Sequence, residues 1–287
     1  MTSPEAKRTF GGRLTTLRHD GLAFDVFDQG PLDGEVVVLL HGFPERSTCW
    51  RDVAPQLHAA GFRTVAMDQR GYSPRARPRR RRDHSVTHLS DDVAALIDAV
   101  GGPVHLVGHD WGAVVSWVVA QRFPDRLRTL TAVSVPHPTA YLRSTVTSRQ
   151  FFKSWYVLAF QIPRLAEWLA SRHGGFMEKL LRTSGWSVAE VERFRTEIVE
   201  YGAMRGGLSW YRALPFADRS LLATKVGVPT TLVWSDGDNF VGRESCERNE
   251  EFVTGTYEFV TLAGVSHWIP TQAPDACAEA ILERITA

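Results

Sequence analysis

Cysteine is scarce in this chain of 287 residues. Its three cysteines, Cys49, Cys246 and Cys277, are odd in number and far apart. That spacing predicts neither a disulfide framework nor a cysteine metal site, and it points to a reducing, cytoplasmic setting. Long apolar runs are missing as well. Nothing approaches the roughly 20 residues of a membrane-spanning helix, and the opening "MTSPEAKRTFGG" lacks the apolar centre of a signal peptide. No charge sign predominates: 33 Lys and Arg face 32 Asp and Glu, a net charge of +1. That balance exerts no global pull on nucleic acid or membrane, and neither is expected as a partner. Repeats and low-complexity domains are also absent. What is present is a composition of 44% hydrophobic and 23% charged residues, ordinary for a globular protein. The length suits one large domain or a domain with an insertion.

One stretch departs from the balanced charge. "RARPRRRRD" (75–83) is a basic run between a predicted strand and a predicted helix. It contains no aromatic side chains for base stacking, and Pro74 and Pro78 break regular structure. A solvated loop is therefore the expectation.

Short apolar runs alternate with helical patterns through the first half. "EVVVLL" (35–40), "FRTVAMD" (62–68), "PVHLVGH" (103–109) and "LRTLTAVSV" (127–135) read as strands. "TCWRDVAPQLHAAG" (48–61), "HLSDDVAALIDAVG" (88–101) and "GAVVSWVVAQRF" (112–123) read as helices, the first two closed by glycine. Alternation of this kind implies right-handed crossovers and a mostly parallel sheet. "RLTTLRHDG" and "LAFDVFDQG" precede it as a hairpin at an antiparallel edge. From about Pro138 to Asp218 the pattern turns helical and aromatic. Strands return at "VPTTLVWSDGD" (228–238) and "TYEFVTLAG" (256–264), and "APDACAEAILERITA" is the last helix. The division expected is an α/β core over 1–137 and 219–287, interrupted by a helical lid over 138–218.

Four segments carry chemistry. In "VGHDWGA" a strand ends, Asp110 stands at a sharp turn between glycines, and a helix begins. This is the layout of a nucleophile elbow with a carboxylate at its tip. In "LLHGFPERS" (39–47) a turn fixed by Gly42 and Pro44 follows a strand. Its Phe43 N–H, with that of Trp111, would form an oxyanion hole. "LVWSDGDNFVG" (232–242) ends a strand with two carboxylates, Asp236 and Asp238, either able to orient a histidine. "LAGVSHWIP" (262–270) puts His267 in a loop before the last helix. The order nucleophile, acid, histidine is the one used by hydrolases with such an elbow. His41 reads as a structural histidine at the edge of the site.

"HGFP", "DQRGYSP", "GHDWGA" and "GVSHW", in that order, resemble the α/β-hydrolase superfamily and, within it, the epoxide hydrolase and haloalkane dehalogenase branch. The resemblance runs from about residue 20 nearly to the end. It implies a mostly parallel sheet flanked by helices with an inserted lid, and it favours Asp238 over Asp236 as the acid. It also implies two lid tyrosines that assist ring opening: Tyr156 in "SWYVLAFQIP" and Tyr211 in "GLSWYRALP". The substrate pocket is expected to include His41, Pro44, Phe151, Trp155, Trp210 and Trp268.

An aspartate attacking a saturated carbon gives an ordinary ester, which water activated by His267 can then cleave. The expected reaction is conversion of an epoxide and water to a vicinal diol, with no cofactor or metal, by a monomer or homodimer. Haloalkane dehalogenation by the same triad is the alternative. Phe43 stands where that branch commonly has a halide-binding asparagine, and Phe cannot donate. Trp111, in place of an arginine, argues against fluoroacetate dehalogenases. A non-catalytic binding protein on this scaffold would be expected to lack a triad member, and none is missing.

Overall fold

The computed structural model describes residues 5–8, 11–147, 157, 159–162 and 164–287. Its centre is a sheet of nine strands in the order β1-β2-β3-β5-β4-β6-β7-β8-β9. The strands are β1 (Glu5–Arg8), β2 (Leu14–His19), β3 (Leu22–Gln29), β4 (Val36–Leu40), β5 (Arg63–Met67), β6 (Val104–His109), β7 (Leu127–Val133), β8 (Thr230–Ser235) and β9 (Tyr257–Leu262). From β5 to β9 all neighbours pair in parallel. The predicted hairpin forms as β2 and β3, with Thr16 opposite Asp25, and β3 joins β5 antiparallel. The short β1, which pairs with β2, has a polar sequence with no strand pattern.

The valine-rich strands are apolar throughout because both faces are covered. Alternate residues divide between two cores, as a repeat of two requires. Val38 and Leu40 join the side packed by α2 (Val86–Val100) and α3 (Trp111–Arg122). Val37 and Leu39 join the opposite side with α1 (Ala54–Ala59) and the last helix, Pro274–Thr286. Gly101, at φ +88°, closes α2 by donating its N–H to the carbonyls of Ile97 and Asp98. The helix expected over 48–61 divides instead into a 3-10 turn, Ser47–Trp50, and α1. Pro55 is the reason: without an N–H it fits only the first helical turn, so α1 begins at Ala54.

Between β7 and β8 the described residues of the lid form helices at Pro138–Thr147, Leu165–Ser171, Phe176–Thr183, Val188–Phe194 and Met204–Ala213. The last of these is pinned to the core. Trp210 donates its indole N–H to the Arg70 carbonyl at 2.7 Å, and Gly206 lies on Gly71.

The arginine loop is partly as expected. Arg79, Arg80, Arg81 and Arg82 are exposed. Arg77 turns inward and donates to the carbonyls of Tyr72 and Tyr201. Beneath them Arg70, 1% exposed, holds Asp92 with two hydrogen bonds of 2.7 and 2.8 Å.

Candidate active site

Asp110 occupies the turn between β6 and α3 at φ 52°, ψ −118°, a conformation that L residues rarely adopt and that signals stored strain. The flanking glycines make the turn possible. A Cβ on Gly112 would lie 2.2 Å from the Leu40 carbonyl oxygen, and one on Gly108 would lie 2.2 Å from the Gly112 oxygen. The carboxylate projects at the carboxyl edge of the sheet. Its Oδ1 accepts the Phe43 N–H at 2.7 Å. Trp111 supplies the first amide of α3; among the described residues that amide makes no hydrogen bond to Asp110.

His267, in the loop after β9, has its Nε2 3.4 Å from Asp110 Oδ2. Its Nδ1 lies 2.7 Å from Asp238 Oδ2. Asp238, after β8, is 3% exposed, and its other oxygen accepts the amides of Phe240 (2.7 Å) and Val241 (2.8 Å). Those bonds hold the carboxylate aimed at His267. Asp236 faces away and accepts the Gly264 N–H at 2.7 Å.

Electrostatics follow from this geometry. Burial alone would push the His267 imidazole down, but the Asp238 charge and the hydrogen bonds to Asp110 and Asp238 hold it up at about 10. Burial alone would raise the Asp110 carboxyl, yet His267, His109 and the Phe43 amide bring it below the usual value. Asp110 is thus an anion beside an imidazolium.

Tyr211 reaches the same pocket from the helix Met204–Ala213, with its ring edge-on to Phe43, Trp111 and Phe160. Burial and the Asp110 charge push its pKa well above the usual phenol value. The pocket holds about 340 Å³ of empty space. Among the described residues its wall, apart from Asp110, His267 and Tyr211, is apolar, with Phe43, Phe160, Met177, Leu181, Phe240 and Trp268 prominent.

Two expected pocket residues lie elsewhere. His41 is fully buried and accepts the Gln69 N–H, and Trp210 stacks on it at 5.8 Å behind the Phe43 loop. Pro44 and Trp268 do line the pocket. Phe151, Trp155 and Tyr156 lie outside the described residues.

The chain matches the alpha/beta hydrolase fold family over residues 35–274. It belongs to the α/β-hydrolases. Among the relatives of this α/β-hydrolase is the AB hydrolase superfamily protein YfhM of Bacillus subtilis, 32% identical over 95% of this chain and 98% of that one. Epoxide hydrolase A of Mycobacterium tuberculosis is 30% identical over 93% of this chain and 95% of its own. In solved structures, epoxide hydrolase A from Mycobacterium thermoresistibile superposes with a TM-score of 0.81 at 26% identity, covering 99% and 98% of the two chains.

Some residues around the site of this α/β-hydrolase had no clear sequence signal. His109 Nε2 donates to the His267 carbonyl at 3.0 Å, and Ser134 Oγ donates to the same oxygen at 2.7 Å. Together they clamp the loop that carries the histidine. His109 sits beside the elbow aspartate in sequence, which was the available hint. Ser134, at φ 70°, offered none.

Proposed function

We propose that this hydrolase opens an epoxide to a vicinal diol through an ester on Asp110, with residues 138–218 as the lid over the site. The observation that carries the proposal is the convergence of a carboxylate, an imidazolium and a buried tyrosine on one apolar pocket. Asp110 Oδ2 attacks a ring carbon, the C–O bond breaks, and the leaving oxygen takes a hydrogen from Tyr211, with Tyr156 as the second donor. Oδ1 becomes the ester carbonyl oxygen, already placed on the Phe43 amide.

Alkylation also changes the histidine. The ester carries no charge, so His267 loses one of the two carboxylates that hold its proton. With only Asp238 left, its pKa falls toward the range where a base is useful. It passes its proton to the phenolate left on Tyr211, and as a neutral imidazole it then takes a proton from water as that water's oxygen attacks the Asp110 carbonyl carbon. Negative charge develops on Oδ1 at the Phe43 N–H, with the Trp111 amide next to it. Collapse releases the diol and restores the carboxylate.

Dehalogenation would require N–H donors for a halide. The Phe43 side chain has none to give, and the Tyr211 phenol stands at the pocket as a hydrogen donor, which favours an oxygen leaving group. Styrene oxide and 1-chlorobutane supplied in parallel distinguish the two. Diol with no chloride is the expected result; chloride without diol would overturn the assignment.

A further inference from the structure

Nine large apolar side chains stand exposed among the described residues, and five of them, Ile162, Leu165, Trp168, Leu214 and Phe216, are 45–53% exposed and lie in two neighbouring lid segments. Buried Arg212 ties these segments together. It donates to the carbonyls of Phe160 and Ile162 and forms an ion pair with Glu167. Leu165 and Trp168 are three apart on one helix and so share a face. The inner side of the same segments, Phe160 and Tyr211, is active-site wall. An apolar surface therefore lies directly outside an apolar pocket.

The charges around this surface are one-sided. Glu167 is taken by Arg212, which leaves exposed Asp218, bonded to the Ser220 amide, as one carboxylate against three arginines. Arg164, Arg172 and Arg219 are exposed, and among the described residues none has a carboxylate within 4 Å; Arg172 instead lies over Trp168 at 4.5 Å. Exposed Arg143 and Arg243 are paired, with Glu251 and Glu247; another exposed group without carboxylate partners among the described residues, Arg79, Arg80 and Arg81, lies in the arginine loop and not on this apolar surface. A second copy is a poor occupant, because a two-fold interface would set these arginines against themselves.

We infer that this lid surface docks reversibly on an anionic bilayer, with Trp168, Leu165 and Phe216 at the headgroup level and Arg164, Arg172 and Arg219 on lipid phosphates. No helix among the described residues is long and apolar enough to cross a membrane, and the contact is peripheral. Docking would bring the pocket wall next to a phase that concentrates apolar epoxides, a consequence that rests on the proposed reaction; the docking itself does not.

Co-sedimentation with phosphatidylcholine vesicles, with and without phosphatidylglycerol, tests the inference on the full chain. Binding is expected to be on the order of tenfold or more tighter to the anionic vesicles and to weaken with salt. The variants Leu165→Ser/Trp168→Ser/Phe216→Ser and Arg164→Gln/Arg172→Gln/Arg219→Gln should each lose most of it. Neither should change turnover of styrene oxide in buffer, which also shows that each is folded. The inference is overturned if the wild type stays in the supernatant or binds both vesicles equally. It is equally overturned if both variants bind like wild type, or if the apolar face proves to join two copies in gel filtration. Loss of diol formation in buffer would strike the proposed reaction and leave the vesicle result untouched.

Discussion

Gly206 of the lid and Gly71 of the core meet backbone to backbone: a Cβ on Gly206 would lie 1.9 Å from the Gly71 carbonyl oxygen. This is how the helix carrying Tyr211 is set over Asp110. In Gly206→Ala the helix must back away from Gly71. We expect a loss of about 1–3 kcal/mol in chemical unfolding and a larger fall in ester formation than in ester hydrolysis, because Tyr211 moves with the helix. An equal fall in both steps would show that the seam does not set the tyrosine.

His267→Gln removes the proposed base and keeps the proposed nucleophile, Asp110. Ester formation should survive while its hydrolysis slows by roughly 10²–10⁴-fold. After substrate, intact mass should rise by one substrate mass, located on the peptide containing Asp110. Failure to trap the adduct while turnover is lost would count against a covalent route.

Tyr211→Phe deletes the hydrogen donor and leaves the ring packing against Phe43 and Phe160. Ester formation is expected to slow on the order of 10²-fold, with thermal stability little changed. Tyr156→Phe should slow the same step. Unchanged single-turnover rates in both would remove the tyrosines from ring opening.

Asp110→Asn takes away one of the two carboxylates beside His267. The imidazole, at about 10 with both present, should titrate at lower pH in the variant, as read by NMR of the ring protons. The same shift appears in stability. A histidine raised from 6.5 to about 10 stabilises the fold fully below about pH 6.5, and that contribution is lost as pH climbs through 10. The decline in unfolding free energy from pH 7 to 10 should be smaller in Asp110→Asn; identical declines would show that Asp110 does not hold the proton.

Asp238→Asn keeps the shape and loses the charge that orients His267. Hydrolysis of the ester should fall by about 10³–10⁴-fold, more than its formation. A variant affected mainly in formation would place Asp238 in another role.

Much of this architecture could be read from the chain because its signals are local. Valine runs, glycine stops and the elbow "GHDWG" each specify their own turn or strand, and their order specifies the crossovers. His267 also announces itself in the loop after a strand, whereas the choice of Asp238 over Asp236 came only from the family resemblance. What could not be read depends on contacts between distant segments. Trp210 looked like a pocket aromatic, but its side of the helix faces His41 and Tyr72. The clamp on the His267 carbonyl joins residues 109, 134 and 267, which no local pattern connects. The single helix expected over 48–61 divides for a local reason: Pro55 has no N–H and overrides the apolar spacing around it.

Phe43 has two neighbourhoods at once. Its amide holds the oxygen on which charge would develop, and its ring lies against Tyr211 and Phe160 of the lid. One residue thus mechanically links the roof of the site to its most sensitive hydrogen bond. Reshaping the roof to admit bulkier molecules would retune that bond as well, so scope and rate in this enzyme should change together.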